Sequence, residues 1–171
     1  MHKLLIDYRF AHSTDEKAEN ARQISQEIKK ASDNDTASFG ILSDLDKFPE
    51  LVGANLIDLF KLLQKIHQYS DCYLVFSLIN SKGMIEALVK NRNDLDVTEV
   101  LCDFFSCVTK NKNWGWLVLV EFFPEVEKFH PAHSIMKSCI CEALKESYQP
   151  EDFDCDNTCE RIVYRRFYEQ G

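Results

Sequence analysis

The chain has 171 residues, 45 % of them apolar, with twelve Phe against five Gly, which is material for one domain around one well-filled core. A net charge of −8 and a pI near 5.1 argue against nucleic acid as the main partner, because phosphate binding needs a basic face. No apolar run reaches the roughly 18 residues of a membrane span, and Leu4-Leu5-Ile6 is too short for a signal peptide, so a soluble, cytoplasmic, anchor-free chain is expected.

Helical spacing dominates the chain. Leu4, Leu5 and Tyr8, flanked by Phe10, predict a short first helix. Ser13-x-x-Glu16 reads as a capping box, and Ala18, Ala21, Ile24 and Ile28 carry the helix it opens to about Ala31. The polar stretch SDNDTASFG is a loop ending at Gly40, and an irregular piece with Pro49 leads on. Val52, Leu56, Leu59, Leu62, Ile66, Tyr69, Tyr73 and Phe76 then fall at intervals of three and four. That predicts one unbroken helix of about seven turns. Ser81 and Lys82-Gly83 break it, and Met84 to Val89 form a short helix.

Asp96-x-x-Glu99 reads as a second capping box. It opens an amphipathic helix with Val97, Val100, Leu101, Phe104, Phe105 and Val108 on one face. KNKN is a tight polar link. WGWLVLVEFF is apolar on all sides, so it should be buried all round at the centre of a bundle; its helical neighbours disfavour a strand. Pro124 ends or kinks it near Phe123. Pro131 opens the next helix at its first position, and Ile135, Met136, Cys139, Ile140, Ala143 and Leu144 carry it to about Tyr148. Pro150 stops it, EDFDCD is an acidic link, and Asn157-x-x-Glu160 caps a last helix with Ile162, Val163 and Phe167. The expected fold class is all-α: a single-domain bundle of about eight helices around a central apolar helical hairpin.

Patterns that carry chemistry are few. Seven Cys, an odd number, read as reduced thiols. His130-x-x-His133 with Cys139-x-Cys141 has poor metal spacing, because Cys139 and Cys141 fall on opposite sides of a helix. Cys155-x-x-x-Cys159 is equally weak. No phosphate loop, nucleophile elbow or paired-carboxylate pattern stands out. A binding protein is expected, not an enzyme, with no metal, cofactor or catalytic residue.

Asn111 to Phe123, NKNWGWLVLVEFF, resembles the first homology motif of the Bcl-2 family, in which an Asn-Trp-Gly-Arg turn joins two helices and an apolar helix comes next. Leu62, Ile66, Tyr69, Ser70, Asp71 and Tyr73 are similar to the family's death motif, four apolar positions around a small residue and an Asp, with Asp71 as that Asp. LLIDYRF, residues 4–10, resembles the family's N-terminal homology helix. There are departures. The family's Arg is Trp116 here, QPEDFDCDNTCERIVYRRF has no clear second homology motif, and the charged RIVYRRFYEQG is not expected to serve as the family's C-terminal anchor. The resemblance is to a divergent, virus-encoded, pro-survival member.

The resemblance implies a Bcl-2-like fold with an apolar groove that takes the amphipathic death-motif helix of a pro-death protein. Position by position, the implied groove comprises Tyr73, Asn113, Gly115, Trp116, Val118, Leu119 and Phe123. Gly115 would let the ligand helix approach, and Asn113 would cap the apolar helix. The implied function is inhibition of apoptosis by sequestration. The range of partners should be narrow, with Bim-type ligands favoured, since Trp116 cannot pair with the ligand's Asp as Arg does. The alternative is a viral modulator of innate-immune signalling with a blocked or absent groove. The implied place is the host cytoplasm, with recruitment to the mitochondrial surface through partners. An empty groove also implies a homodimer.

Overall fold

The computed structural model describes residues 1–33, 45–66 and 78–170. All regular structure among them is helical. The chain divides into two units, Met1–Lys90 and Asn91–Gly171.

In the first unit, α1 spans His2–Arg9 and buries Leu5 and Tyr8, two of the apolar positions that predict it. The Tyr8 hydroxyl donates to Glu50 Oε1 at 2.9 Å, and its ring meets Phe48 edge-on at 5.7 Å. Burial first, then the bond to Glu50, pushes the Tyr8 pKa up to about 12. α2 spans Thr14–Asp33. Ser13 Oγ accepts from Glu16 N at 3.1 Å, while the Glu16 carboxylate accepts from His12 N at 2.8 Å. The capping box is therefore present, with its acidic half reaching one residue further back. Ile24 and Ile28 form the buried face, and α2 packs against α1.

A 3-10 turn, Leu45–Lys47, leads into α3, Pro49–Ala54. Pro49 sits in its first turn, where an N–H has no intrahelical partner to lose. The unbroken helix expected from Val52 onward is not formed: α3 ends at Ala54, and α4 spans Leu56–Ile66. Asn55 is the break. Its side-chain Nδ2 donates to the Leu51 carbonyl at 2.8 Å, and its backbone N–H turns to the nearer Val52 carbonyl at 3.2 Å. The apolar spacing survives because Val52, Leu56, Leu59 and Leu62 all stay buried across the break. α4 packs on α2. Tyr69, Tyr73 and Phe76 lie outside the described residues. α5, Lys82–Lys90, starts where Ser81 Oγ accepts from Met84 N at 3.2 Å, and it packs on α3.

In the second unit, α6 spans Leu95–Val108 and buries all six residues of its expected face. Its cap is Asp94, not the Asp96 box: the Asp94 carboxylate accepts from Asp96 N and Val97 N at 2.9 and 3.2 Å. Asp96 lies in the first turn, where its charge complements the helix dipole. α7 is Trp114–Glu121 and α8 is Phe123–Phe129, with the bend at Phe122. Phe122 N still bonds the Val118 carbonyl at 2.9 Å, but Pro124 has no N–H to continue the ladder. This is the kink expected there. α7 is not buried all round, because Leu117 is 36 % exposed and Glu121 is exposed.

α9 spans His133–Ser147, so Pro131 stands ahead of the helix and not at its first position. A turn closed by His133 N on the His130 carbonyl at 3.2 Å comes first. α9 packs along α6, where the Cys102 and Cys139 thiols meet. Burial first, then Cys139, pushes the Cys102 thiol up to about 12. Pro150 opens a 3-10 turn, Pro150–Asp152. α10, Thr158–Val163, is capped by Asn157 Oδ1 on Glu160 N at 3.1 Å, as expected. A π turn, Tyr164–Tyr168, ends it and buries Phe167. α10 packs on α7 and the π turn on α9. Among the described residues, no helix is long and apolar enough to cross a membrane.

Candidate partner-binding site at the Asn113 turn

The residues of the Asn-Trp-Gly signature sit where α6 ends. Lys110 N and Asn111 N bond the Cys107 and Val108 carbonyls, three residues back, so the helix tightens and stops. Asn111 Oδ1 then accepts from Asn113 N at 3.1 Å, an Asx turn that redirects the chain. Asn113 stands at the N-cap of α7, exposed, and its side chain makes no cap bond.

Gly115 is required by the backbone. A Cβ there would lie 1.9 Å from the Val108 carbonyl oxygen and 2.9 Å from its carbon, so α7 begins closer to the end of α6 than any side chain permits. The room that the resemblance reserves for a ligand helix is filled by the chain's own Val108 carbonyl.

Trp116 completes the joint. Its ring is fully buried, and its Nε1–H donates to the Thr109 carbonyl at 2.9 Å, satisfying one of the end carbonyls of α6. Phe153 stacks on the indole at 4.9 Å and 16°, Tyr148 meets it edge-on at 5.1 Å, and the Lys112 ammonium lies 5.5 Å from its centre. The cover is tied down by polar bonds. The Tyr148 hydroxyl donates to the Lys110 carbonyl at 3.0 Å, and Lys112 Nζ bonds the Asp152 carbonyl and pairs with Glu160 at 3.0 Å. Glu160 Oε2 also accepts from Asp154 N at 2.7 Å. Tyr164 and Tyr168 close over Phe153 at 5.1 and 4.9 Å. Burial, then the Asp152 charge, raises the Tyr148 pKa.

Val118, Leu119 and Phe123 are fully buried. Phe123 meets Phe105 and Phe167 edge-on at 5.2 and 5.5 Å, and the Arg166 guanidinium, paired with Glu127, lies 5.8 Å from its ring. The structure thus gathers Gly115, Trp116, Val118, Leu119 and Phe123, but as interior of the second unit. Asn113 and Leu117 mark the accessible side of α7. Of the death-motif pattern, Leu62 is fully buried in α4 and Ile66 closes that helix. Tyr69, Ser70, Asp71 and Tyr73 lie outside the described residues. Sequence patterns do not single out the covering residues Tyr148, Phe153, Tyr164 and Tyr168; the one available signal is their density within a short, otherwise highly charged stretch.

His130 and His133 adjoin the start of α9. His130 is buried, its Nδ1 accepts from Ala132 N at 3.2 Å, and its Nε2 has no hydrogen-bond partner among the described residues. Burial first, then His133, lowers its pKa. Among the described residues, no group of three His, Cys, Asp or Glu side chains is placed to hold a metal ion.

The chain matches no family model, no curated protein and no solved structure.

Proposed function

We propose that the chain is a Bcl-2-like inhibitor of apoptosis that sequesters the amphipathic death-motif helix of a pro-death partner, with Bim-type ligands preferred. The observation that supports this reading is the construction of the Asn113-Trp114-Gly115 turn. An amphipathic helix, a tight joint that only Gly allows, and an apolar helix come in the order the resemblance implies. On this reading the protein acts in the host cytoplasm, and the ligand helix meets the accessible side of α7, Asn113 and Leu117, with its apolar anchors driving association.

One observation favours the second reading, a modulator of innate-immune signalling without an open groove. Trp116 lies under Phe153 and Tyr148, and Val118, Leu119 and Phe123 are fully buried. Calorimetry of the full chain against a panel of death-motif peptides separates the two. Sequestration requires at least one dissociation constant at or below about 1 μM, near −8 kcal/mol. Absence of heat with every peptide at tens of micromolar rejects sequestration and leaves the groove-free reading.

A further inference from the structure

The packed pair α6 and α9 holds two thiols that the proposed function does not use. Cys102 follows the buried Leu101 on α6, and Cys139 stands on α9 between the buried Met136 and Ala143. Both therefore lie at the margin of a buried face. The two side chains meet across the helix pair within hydrogen-bonding reach. Each is free and half-buried, so a small molecule can touch it while the helices hold it in place. Cys141, two residues beyond Cys139, is buried and points roughly 200° away around the helix.

We propose that Cys102 and Cys139 are a redox clamp, closed as a reversible disulfide between α6 and α9 by hydrogen peroxide. A small neutral oxidant suits the place, because Glu99 and Asp103 beside Cys102 repel an anionic disulfide such as oxidised glutathione. Cys139 reacts first. Its thiolate attacks one peroxide oxygen, the O–O bond breaks, and the departing hydroxide takes up the thiol's proton as water, leaving a sulfenic acid. Cys102 resolves it. Burial first, then the Cys139 charge, keeps Cys102 protonated while both thiols are reduced. Once Cys139 is a sulfenic acid that opposing charge is gone. The Cys102 sulfur then attacks the Cys139 sulfur, the S–O bond breaks, and hydroxide leaves with the Cys102 proton as a second water. Peroxide gains two electrons and the thiol pair loses two; a dithiol reductant reverses the change. The closed loop contains the Asn113 joint, α7 and α8, so oxidation ties down that whole segment.

The test exposes the full-length reduced chain to hydrogen peroxide and maps its cysteine peptides by mass spectrometry. A peptide linking Cys102 to Cys139 should dominate the disulfide-linked products and vanish on treatment with dithiothreitol. The oxidised chain should melt about 5 °C or more above the reduced one, and Cys139→Ser should lose that rise. In Cys102→Ser, the unresolved sulfenic acid should be trapped by dimedone at Cys139. The map of the parent chain stands whether or not either variant folds. Four results overturn the proposal: no linked peptide, predominant linkage of either residue to a different cysteine, sulfinic acid at Cys139 as the main parent product, or a linked chain whose midpoint is unchanged.

Discussion

Two aromatic regions of the chain contrast. At the joint between α6 and α7, every face of Trp116 is engaged: Phe153 stacks on it, Tyr148 meets its edge, and Thr109 takes its N–H. At α1, Phe10 stands 66 % exposed beside an open concavity. The first region carries the sequence signature, and the second carries none beyond a weak helical resemblance. The difference teaches that a signature marks where the backbone demands a particular residue. Whether that residue is available to a partner is a separate matter, decided by burial.

The hardest test of this contrast is Gly115→Ala. The added methyl meets a backbone carbonyl at 1.9 Å, and backbone on both sides must move. A loss of about 3 kcal/mol or more is expected, or failure to fold. Urea unfolding of variant and parent measures it. A stable variant would mean that α7 has room at its start, and the joint would then be open enough to admit a ligand helix.

The same position shows how much of the site is legible in the sequence. Gly115 reads there as a site of close approach, yet the approaching group is the chain's own Val108 carbonyl. The helices are legible because their apolar spacing is local, and so are the caps at Ser13 and Asn157. The break at Asn55 is not, since buried residues keep their interval across it. The Asp96 box misplaces the cap of α6 by two residues because Asp94 and Asp96 both satisfy the cap rule. The aromatic cover on Trp116 comes from residues 32 to 52 positions away, a pairing that no local pattern encodes. Composition flags such residues as core without saying what they face.

Trp116→Phe sharpens the contrast at smaller magnitude. Phenylalanine retains the stacking on Phe153 but strands the buried Thr109 carbonyl, so a loss of about 1–3 kcal/mol is expected. If stability is unchanged and only peptide affinity moves, Trp116 works as an accessible ligand face and the contrast fails.

Acid should weaken the second unit through His130. Its folded pKa lies below the ordinary 6.5, so protonation favours the unfolded chain. Its contribution is whole above that value and is lost as pH falls through 6.5 towards the lowered folded value. Denaturation midpoints of parent and His130→Gln, compared between about pH 7.5 and pH 5, isolate this group from the carboxylates common to both. The parent should lose more stability over that range. Equal slopes would show that His130 reaches water in solution, and that its unpartnered Nε2 is satisfied there.

The smallest expected effect is at α1, and it tests the open half of the contrast. Phe10→Ser removes the most exposed aromatic ring among the described residues. Phe10 lies just past the last turn of α1, so the substitution leaves helix propensity untouched, and the bond from its N–H to the Ile6 carbonyl at 3.1 Å remains. The Arg9 guanidinium, 5.8 Å from the ring, is exposed, and such a contact is worth about 0.5–1 kcal/mol at most. Relief of exposed apolar area acts in the opposite direction on solubility. Stability should therefore stay within about 0.5 kcal/mol of the parent. A stability loss above about 1.5 kcal/mol would mean that Phe10 is packed in solution. The α1 face would then be as closed as the joint at Trp116, and the two regions would no longer differ in burial.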